Sequence, residues 1–158
     1  MFAIYVDGDA CPVKAEVEQV AGRHGWLTVI VSNGGLRPSR NPLVRHVTVD
    51  SGADVADDWI VAHAGAGDLV VTADIPLASR ALQKQARVLG PAGKVFTEDT
   101  IGMALGMREL HRHLRESTAG GQTFNAGFTK QDRSRFLGAL ENEIQSIKRA
   151  FAGRTPPG

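Results

Sequence analysis

Near its start the chain reads Phe2-Ala3-Ile4-Tyr5-Val6-Asp7-Gly8-Asp9-Ala10-Cys11-Pro12. The residues before Asp7 are apolar and favour a β-strand, which therefore ends at an acidic residue. Pro12 fits the first turn of a following helix, because its fixed φ angle is already helical. Apolar residues at helical spacing extend this helix to about Arg23: Val13, Val17, Val20 and Ala21. A strand, an acidic turn and a helix are the opening unit of a parallel α/β sheet.

Short apolar runs alternate with amphipathic stretches along the rest of the chain. The runs predict strands at residues 27–31, 44–49, 69–72 and 88–89. The amphipathic stretches predict helices at residues 53–66, 76–86 and 97–115. Thr129 with Asp132 resembles the capping box of a final helix. This alternation favours an α/β fold of three layers, in which helices cover both faces of a parallel sheet.

The composition is that of a folded chain without a strong overall charge. Of the 158 residues, 42% are hydrophobic, and the net charge is +1. We expect a single domain at residues 1–150 and a flexible tail at 151–158. No apolar run reaches the roughly 18 residues that cross a bilayer, and no basic leader precedes Asp7. These features predict a soluble cytoplasmic protein that does not bind membranes.

Cys11 is the single cysteine of the chain, which excludes an intrachain disulfide and fits a reducing compartment. It stands at the start of a predicted helix, where a thiolate could be stabilised. However, Val17 occupies the position at which the loop of a cysteine phosphatase would carry arginine. We therefore expect Cys11 to be packed and inert.

Acidic residues gather where the predicted strands end. Asp7 and Asp9 follow the first strand, and Asp74 follows the fourth. The helix after the third strand opens with three further acids on one polar arc: Asp54, Asp57 and Asp58. Parallel strands end at the same rim of a sheet, so these carboxylates are expected to converge. Converging carboxylates repel one another without a cation, and their oxygens suit Mg²⁺ or Mn²⁺.

Structural explanations compete with this metal site. An acid in the first turn of a helix is stabilised by the helix dipole, which is sufficient for any one of Asp54, Asp57 and Asp58. Asp9 and Asp74 could each cap the helix that follows. Asp7 is harder to explain in this way, because it ends an apolar strand in the middle of the sheet.

Three segments together resemble one protein family in their order and spacing. They are Val6-Asp7-Gly8-Asp9-Ala10-Cys11-Pro12, Gly52-Ala53-Asp54-Val55-Ala56-Asp57 and Val71-Thr72-Ala73-Asp74-Ile75-Pro76-Leu77-Ala78. They resemble the uncharacterised YaiI/YqxD-type bacterial proteins, which are grouped with the PIN-domain-like nucleases. The segment from Phe124 to Phe136 also fits, whereas Gly8 stands where the family more usually has alanine.

The resemblance implies a parallel five-stranded sheet of order 3-2-1-4-5. It also implies that Asp7, Asp57 and Asp74 are catalytic and bind Mg²⁺ or Mn²⁺. Asp9 and Asp54 match the family's own motifs and would join the metal ligands, and Thr72 belongs to the T-x-D pattern that ends at Asp74.

Basic residues near the predicted rim could hold the phosphates of a substrate. Arg37 and Arg40 lie in a loop after the second strand, and Arg80 lies on the helix after Asp74. Together with Thr72 they form the predicted substrate-binding set, although solvated loop charge explains the arginines equally well. Residues 101–158 are also more basic than the rest, with 9 basic against 5 acidic side chains.

Three functions remain in competition. The first is metal-dependent hydrolysis of phosphodiester bonds, with RNA expected as the substrate because of the resemblance. The second is a haloacid-dehalogenase-like phosphatase, in which Asp7 would be the nucleophile and Asp9 the acid and base. The third is a nucleic-acid-binding module that has lost catalysis, and the basic C-terminal part of the chain favours it. The sequence predicts no particular oligomeric state.

Overall fold

A computed structural model describes residues 2–34, 39–52, 54–103 and 128–151. Six strands form its sheet: β1 (Ala3–Asp7), β2 (Leu27–Ser32), β3 (Val44–Thr48), β4 (Leu69–Val71), β5 (Arg87–Leu89) and β6 (Val95–Phe96). Their order is β3-β2-β1-β4-β5-β6. All pairs from β3 to β5 are parallel, and β6 alone pairs antiparallel with β5. The predicted order 3-2-1-4-5 is confirmed.

The sixth strand corrects the prediction of a purely parallel, five-stranded sheet. β6 returns along β5 after a tight turn, in which the N–H of Gly90 donates to the carbonyl of Lys94 (2.7 Å). Gly93 in this turn has a φ of 93°, which only glycine adopts without strain. A strand of two residues is too short to leave an alternating pattern in the sequence, so β6 was not predicted.

Helices connect the parallel strands. A 3-10 helix covers Gly8–Ala10 directly after β1. The α-helices are α1 (Lys14–Arg23), α2 (Val55–His63), α3 (Ile75–Gln83) and α4 (Lys130–Ala150). A further helix begins at residue 98 and continues to the edge of the described range at residue 103. None of the helices in the described ranges is long and apolar enough to cross a membrane.

The helix that was predicted from Pro12 begins later, at Lys14, because the 3-10 turn and a short extended segment come first. The predicted capping box of the last helix is confirmed. The N–H of Asp132 donates to Thr129 Oγ1 (3.1 Å), and Asp132 Oδ2 accepts from the N–H of Thr129 (3.0 Å). At the helix that begins at residue 98, the N–H of Thr100 donates to Thr97 Oγ1 (3.2 Å).

Helices on both faces give the sheet two hydrophobic cores and the protein its three layers. On one face Ile4 and Val6 of β1 pack with α1 and α4. On the other face Val29 and Val31 of β2 pack with α2 and α3. Because the central strands are buried on both faces, their register is fixed, and so is the rim at which they end.

The C-terminal helix α4 is fastened to α1 and to the sheet by charged pairs. Arg133 Nε lies 3.0 Å from Glu16 on α1, and the buried Glu143 accepts from Arg87 on β5 (2.7 Å). Phe151, where the flexible tail was predicted to start, packs edge-on against Phe2 with ring centroids 5.4 Å apart. Residues 152–158 of that tail lie outside the described residues.

We expect Ile144→Ala to destabilise the protein by about 2–5 kcal/mol, because the side chain is fully buried in the core between α4 and the sheet. Asn142→Ala, at an exposed position of the same helix, should change the free energy of unfolding by less than about 0.5 kcal/mol. Urea unfolding of both variants measures the difference. Similar losses for the two would show that α4 does not depend on this core.

Candidate functional site

The ends of β1 and β4 bring two of the predicted acids together. Val6 pairs with Val71 in the parallel ladder, so the chain emerges from both strands side by side at Asp7 and Thr72. The hydroxyl of Thr72, which is buried, donates to Asp7 Oδ2 (3.1 Å). The hydroxyl oxygen of Thr72 also accepts the N–H of Asp74 (3.0 Å). Thr72 therefore joins the two aspartates directly.

Asp74 has a structural role in addition to its place in the cluster. It is the N-cap of α3, and its Oδ1 accepts the N–H of Leu77 (2.9 Å). The expected cap is thus present, and it engages one of the two carboxylate oxygens. The capping role explains Asp74 itself, but it does not explain why other acids surround it.

Helix α2 adds Asp54 and Asp57 to the cluster. Asp54 occupies the N-cap position of α2, but its side chain makes no capping hydrogen bond. Capping therefore does not account for this residue. Asp57 lies in the first turn and is half-buried, on the side of α2 that approaches the ends of β1 and β4.

Asp9 is held by the residue that follows β2 and does not cap the helix α1. Both of its carboxylate oxygens lie within reach of the N–H of Asn33, at 3.2 and 3.1 Å. The N-cap of α1 is Val13, without a side-chain cap. The carboxylate of Asp9 is otherwise exposed and raises the pKa of Asp7.

Burial and mutual repulsion both raise the pKa values of carboxylates in this cluster. Burial raises the pKa of Asp7, and the charges of Asp74 and Asp9 raise it further, against the hydrogen bond from Thr72. Burial also raises the pKa of Asp57 to about 6. Three neighbouring acids add to this rise, whereas Arg80 lowers the value: Asp74, Asp7 and Asp54. The five predicted acids therefore form one electrostatic cluster.

A cleft of about 180 Å³ opens beside Asp7 and Asp74. Four other residues complete its lining: Cys11, Thr72, Ala73 and Pro91. Cys11 is 7% exposed, and burial raises the pKa of its thiol, as expected for a packed and unreactive cysteine. Pro91 was not identified from the sequence, because its position depends on the β5–β6 turn.

The cluster suits a hard cation by its chemistry, since every donor is a carboxylate or hydroxyl oxygen and the negative charges repel one another. Across residues 2–34, 39–52, 54–103 and 128–151, however, no three His, Cys, Asp or Glu side chains are grouped closely enough to hold a metal ion. The carboxylates therefore influence one another's pKa values, but three of them do not converge on one point.

The arginines that were predicted to bind phosphate differ from one another in where they lie relative to the cluster. Arg80 lies beside the cluster, but its Nη1 is bonded to Asp58 (2.8 Å). Arg40 was expected at the rim, which is incorrect. The carbonyl of the adjacent Asn41 accepts the N–H of Val44, so the chain has already returned to the amino end of β3. Arg37 lies outside the described residues.

Residues 5–146 match the family model described as uncharacterised BCR, YaiI/YqxD family. The chain belongs to the YaiI/YqxD family. The resemblance seen in the sequence motifs is thereby confirmed at the level of the family.

Curated relatives match the chain over nearly its full length. It is 60% identical to the UPF0178 protein mlr0875 of Mesorhizobium japonicum, over 97% of this chain and 96% of the relative. It is 56% identical to a UPF0178 protein of Parvibaculum lavamentivorans, over 99% of this chain and 100% of the relative. These names state no activity. No solved structure matches the chain.

We expect Asp57→Asn to raise the melting temperature of the metal-free protein at about pH 8 and to change it little at about pH 4. Folding raises the pKa of Asp57 from 3.8 to about 6, so its contribution to stability is fully present below the unfolded value. That contribution is lost as the pH rises through about 6, because ionisation then occurs against the other carboxylates. Asparagine avoids this cost. Thermal melts in EDTA at the two pH values measure the effect.

Asp58→Asn is the matched control, because Asp58 is the next residue of α2 and is paired with Arg80. Its loss should lower the melting temperature slightly or leave it unchanged, as for other exposed ion pairs. An equal rise for both variants would attribute the gain to the total charge of α2 and not to the cluster.

Proposed function

We propose that this protein is a Mg²⁺- or Mn²⁺-dependent hydrolase of phosphodiester bonds, with RNA as its substrate. The observation that carries the proposal is the joining of Asp7 to Asp74 through Thr72, at the carboxyl ends of two buried parallel strands. Ligands of open α/β sheets bind at this rim. A stable fold gains nothing from crowding carboxylates there, whereas a cation site requires it.

The proposal includes a PIN-like fold. Its support is the strand order 3-2-1-4-5 within the sheet, together with acids after the first strand, in α2 and after the fourth strand. In this assignment Asp7, Asp57 and Asp74 are the catalytic carboxylates. Asp9 and Asp54 stand beside them as further ligands.

The residues of the chain have separate tasks in this function. The hydroxyl of Thr72 donates a hydrogen bond to Asp7 Oδ2, which favours the ionised carboxylate against the effect of burial. Asp74 is held by its N-cap bond to the N–H of Leu77. Asp57 ionises only as the pH rises through about 6, because burial and its acidic neighbours raise its pKa, and a bound cation would favour its ionised form.

The cation would be held by Asp7, Asp57 and Asp74, with Asp9 and Asp54 next to them. When bound, it would supply an activated water and stabilise the charge that develops on the phosphate. No side chain of the protein has to act as a nucleophile in such a reaction.

The cleft beside Asp7 and Asp74 suits a single sugar-phosphate unit. Its volume of about 180 Å³ is below the range of about 300–1,000 Å³ that holds drug-sized ligands. We therefore propose that an unpaired strand presents one phosphodiester at a time. Arg80 would orient the phosphate after leaving Asp58, since exposed ion pairs of this kind exchange at little cost.

We expect millimolar Mn²⁺ to raise the melting temperature relative to EDTA. A ligand present at about 100 times its Kd stabilises the folded state by about 2.7 kcal/mol, and the cation additionally removes the repulsion among the carboxylates. Thermal melts in Mn²⁺, Mg²⁺ and EDTA at one ionic strength measure the effect. Equal melting temperatures in all three would contradict a metal site.

Asp7→Asn and Asp74→Asn should each lower the rate of RNA cleavage at least about a hundredfold, because each removes a charged ligand. Both proteins should remain folded. Asparagine caps a helix as well as aspartate does, and each substitution relieves repulsion in the metal-free state. The assay follows cleavage of a labelled single-stranded RNA in Mn²⁺, with thermal melts of every variant.

Asp50→Asn is the control for this assay, since Asp50 is exposed beyond β3 and is not one of the clustered acids. Wild-type rates for Asp7→Asn and Asp74→Asn would exclude the proposed mechanism. RNA binding without cleavage would instead favour the binding module, and a phosphorylated Asp7 would favour the phosphatase.

A further inference from the structure

We infer that Lys14 is a positioning residue of this site, which holds the turn after β1 so that Asp7 and Asp9 face the other carboxylates. The inference rests on the proposed function. Lys14 was not among the residues selected from the sequence, where it reads as an ordinary lysine of an amphipathic helix.

The ammonium of Lys14 closes the turn between β1 and α1. Its Nζ donates to the carbonyl of Gly8 (2.8 Å) and to the carbonyl of Cys11 (3.0 Å). These two carbonyls stand at the start of the 3-10 helix and directly after it. The turn is thus wrapped around a single charged group, through bonds of the stronger, charge-assisted kind.

The place of Lys14 in α1 argues that this bridge is its purpose. Lys14 is the first residue of the helix, where the helix dipole favours acids and disfavours cations. Val13 at the N-cap supplies no side-chain bond that could fasten the turn instead. A lysine at this unfavourable position is explained if its ammonium is needed to bind the carbonyls of Gly8 and Cys11.

The turn carries or adjoins three residues of the site. Asp7 precedes it, Asp9 lies within it, and Cys11 after it lines the cleft. From the far side, the N–H of Asn33 holds the carboxylate of Asp9. Lys14 holds the backbone on the near side, so that the two contacts together fix the turn that carries Asp9 and directly follows Asp7.

The single cysteine allows the turn to be measured without any metal. Cys11 is 7% exposed, so a thiol reagent such as dithiobis-nitrobenzoate reacts with it only when the turn opens. The rate is compared at one pH in EDTA for the wild type, Lys14→Met, Lys14→Arg and Lys84→Met. Lys84 is an exposed lysine beyond α3 and provides the matched control.

We expect Lys14→Met to react at least about tenfold faster than the wild type, because two charge-assisted hydrogen bonds are lost. Loss of the ammonium by itself would slow the reaction, since Lys14 lowers the pKa of the thiol. Faster reaction therefore reports opening. Lys14→Arg, which keeps the charge and the donors, should recover most of the wild-type protection, and Lys84→Met should behave as the wild type.

The positioning role is tested by Mn²⁺ titrations of the melting temperature with the same four proteins. Lys14→Met should bind Mn²⁺ about 10–100-fold more weakly, as when other groups that orient metal ligands are removed. Lys14→Arg should restore binding. A residue that only stabilised the fold would lower every melting temperature and leave the Mn²⁺ dependence unchanged.

Each result has a distinct meaning. Thiol protection in Lys14→Met equal to that of the wild type would overturn the inference, because the turn would not depend on Lys14. Faster thiol reaction with unchanged Mn²⁺ affinity would overturn it as well, since Lys14 would then have only a structural role. Absence of a Mn²⁺ effect in the wild type would reject the proposed function, and the positioning role with it, whatever the thiol reaction shows.

Discussion

The parallel pairing of β1 with β4 is the constraint on which the candidate site depends. It sets Asp7 beside Thr72, and the Thr72 hydroxyl then connects Asp7 with the backbone of Asp74. A shift of one residue in this pairing would turn the buried side chains of both strands to the opposite faces. The two hydrophobic cores therefore hold the carboxylates at the rim despite their repulsion.

Acids elsewhere in the chain show what a purely structural role looks like. Asp68 accepts the N–H groups of Ala3 and Gly65, Asp132 completes a capping box, and Glu143 pairs with Arg87. Each has partners that favour its charged form, although burial still raises the pKa of Asp68. At Asp57, burial raises the pKa to about 6 together with the charges of three neighbouring acids: Asp74, Asp7 and Asp54. When one acid lacks the pairing that stabilises the charges of the other acids in a chain, it more often marks a functional site than an accident.

The sequence predicted what depends on repeated local patterns. Alternating strands and helices predicted a parallel α/β sheet, and acids near strand ends predicted the cluster that includes Asp7, Asp57 and Asp74. The order of the first five strands came from the family resemblance, and the structure has that order. Features that depend on tertiary contact were missed. β6 has two residues and no period, and the position of Arg40 depends on the turn in which the N–H of Val44 donates to the carbonyl of Asn41. The bonds of Lys14 are to backbone carbonyls, which leave no trace in the pattern of side chains.

The C-terminal helix extends the support of the site to the opposite end of the chain. Glu16, two residues after Lys14 on α1, is paired with Arg133 near the start of α4. A Cβ atom at Gly93 would lie 2.8 Å from the carbonyl carbon of Arg135, so the β5–β6 turn packs directly against the same end of α4. That turn contributes Pro91 to the cleft. One end of α4 therefore supports two walls of the cleft: the turn held by Lys14 and the turn that carries Pro91. In this way the last helix of the described chain helps to fix the geometry of the carboxylates.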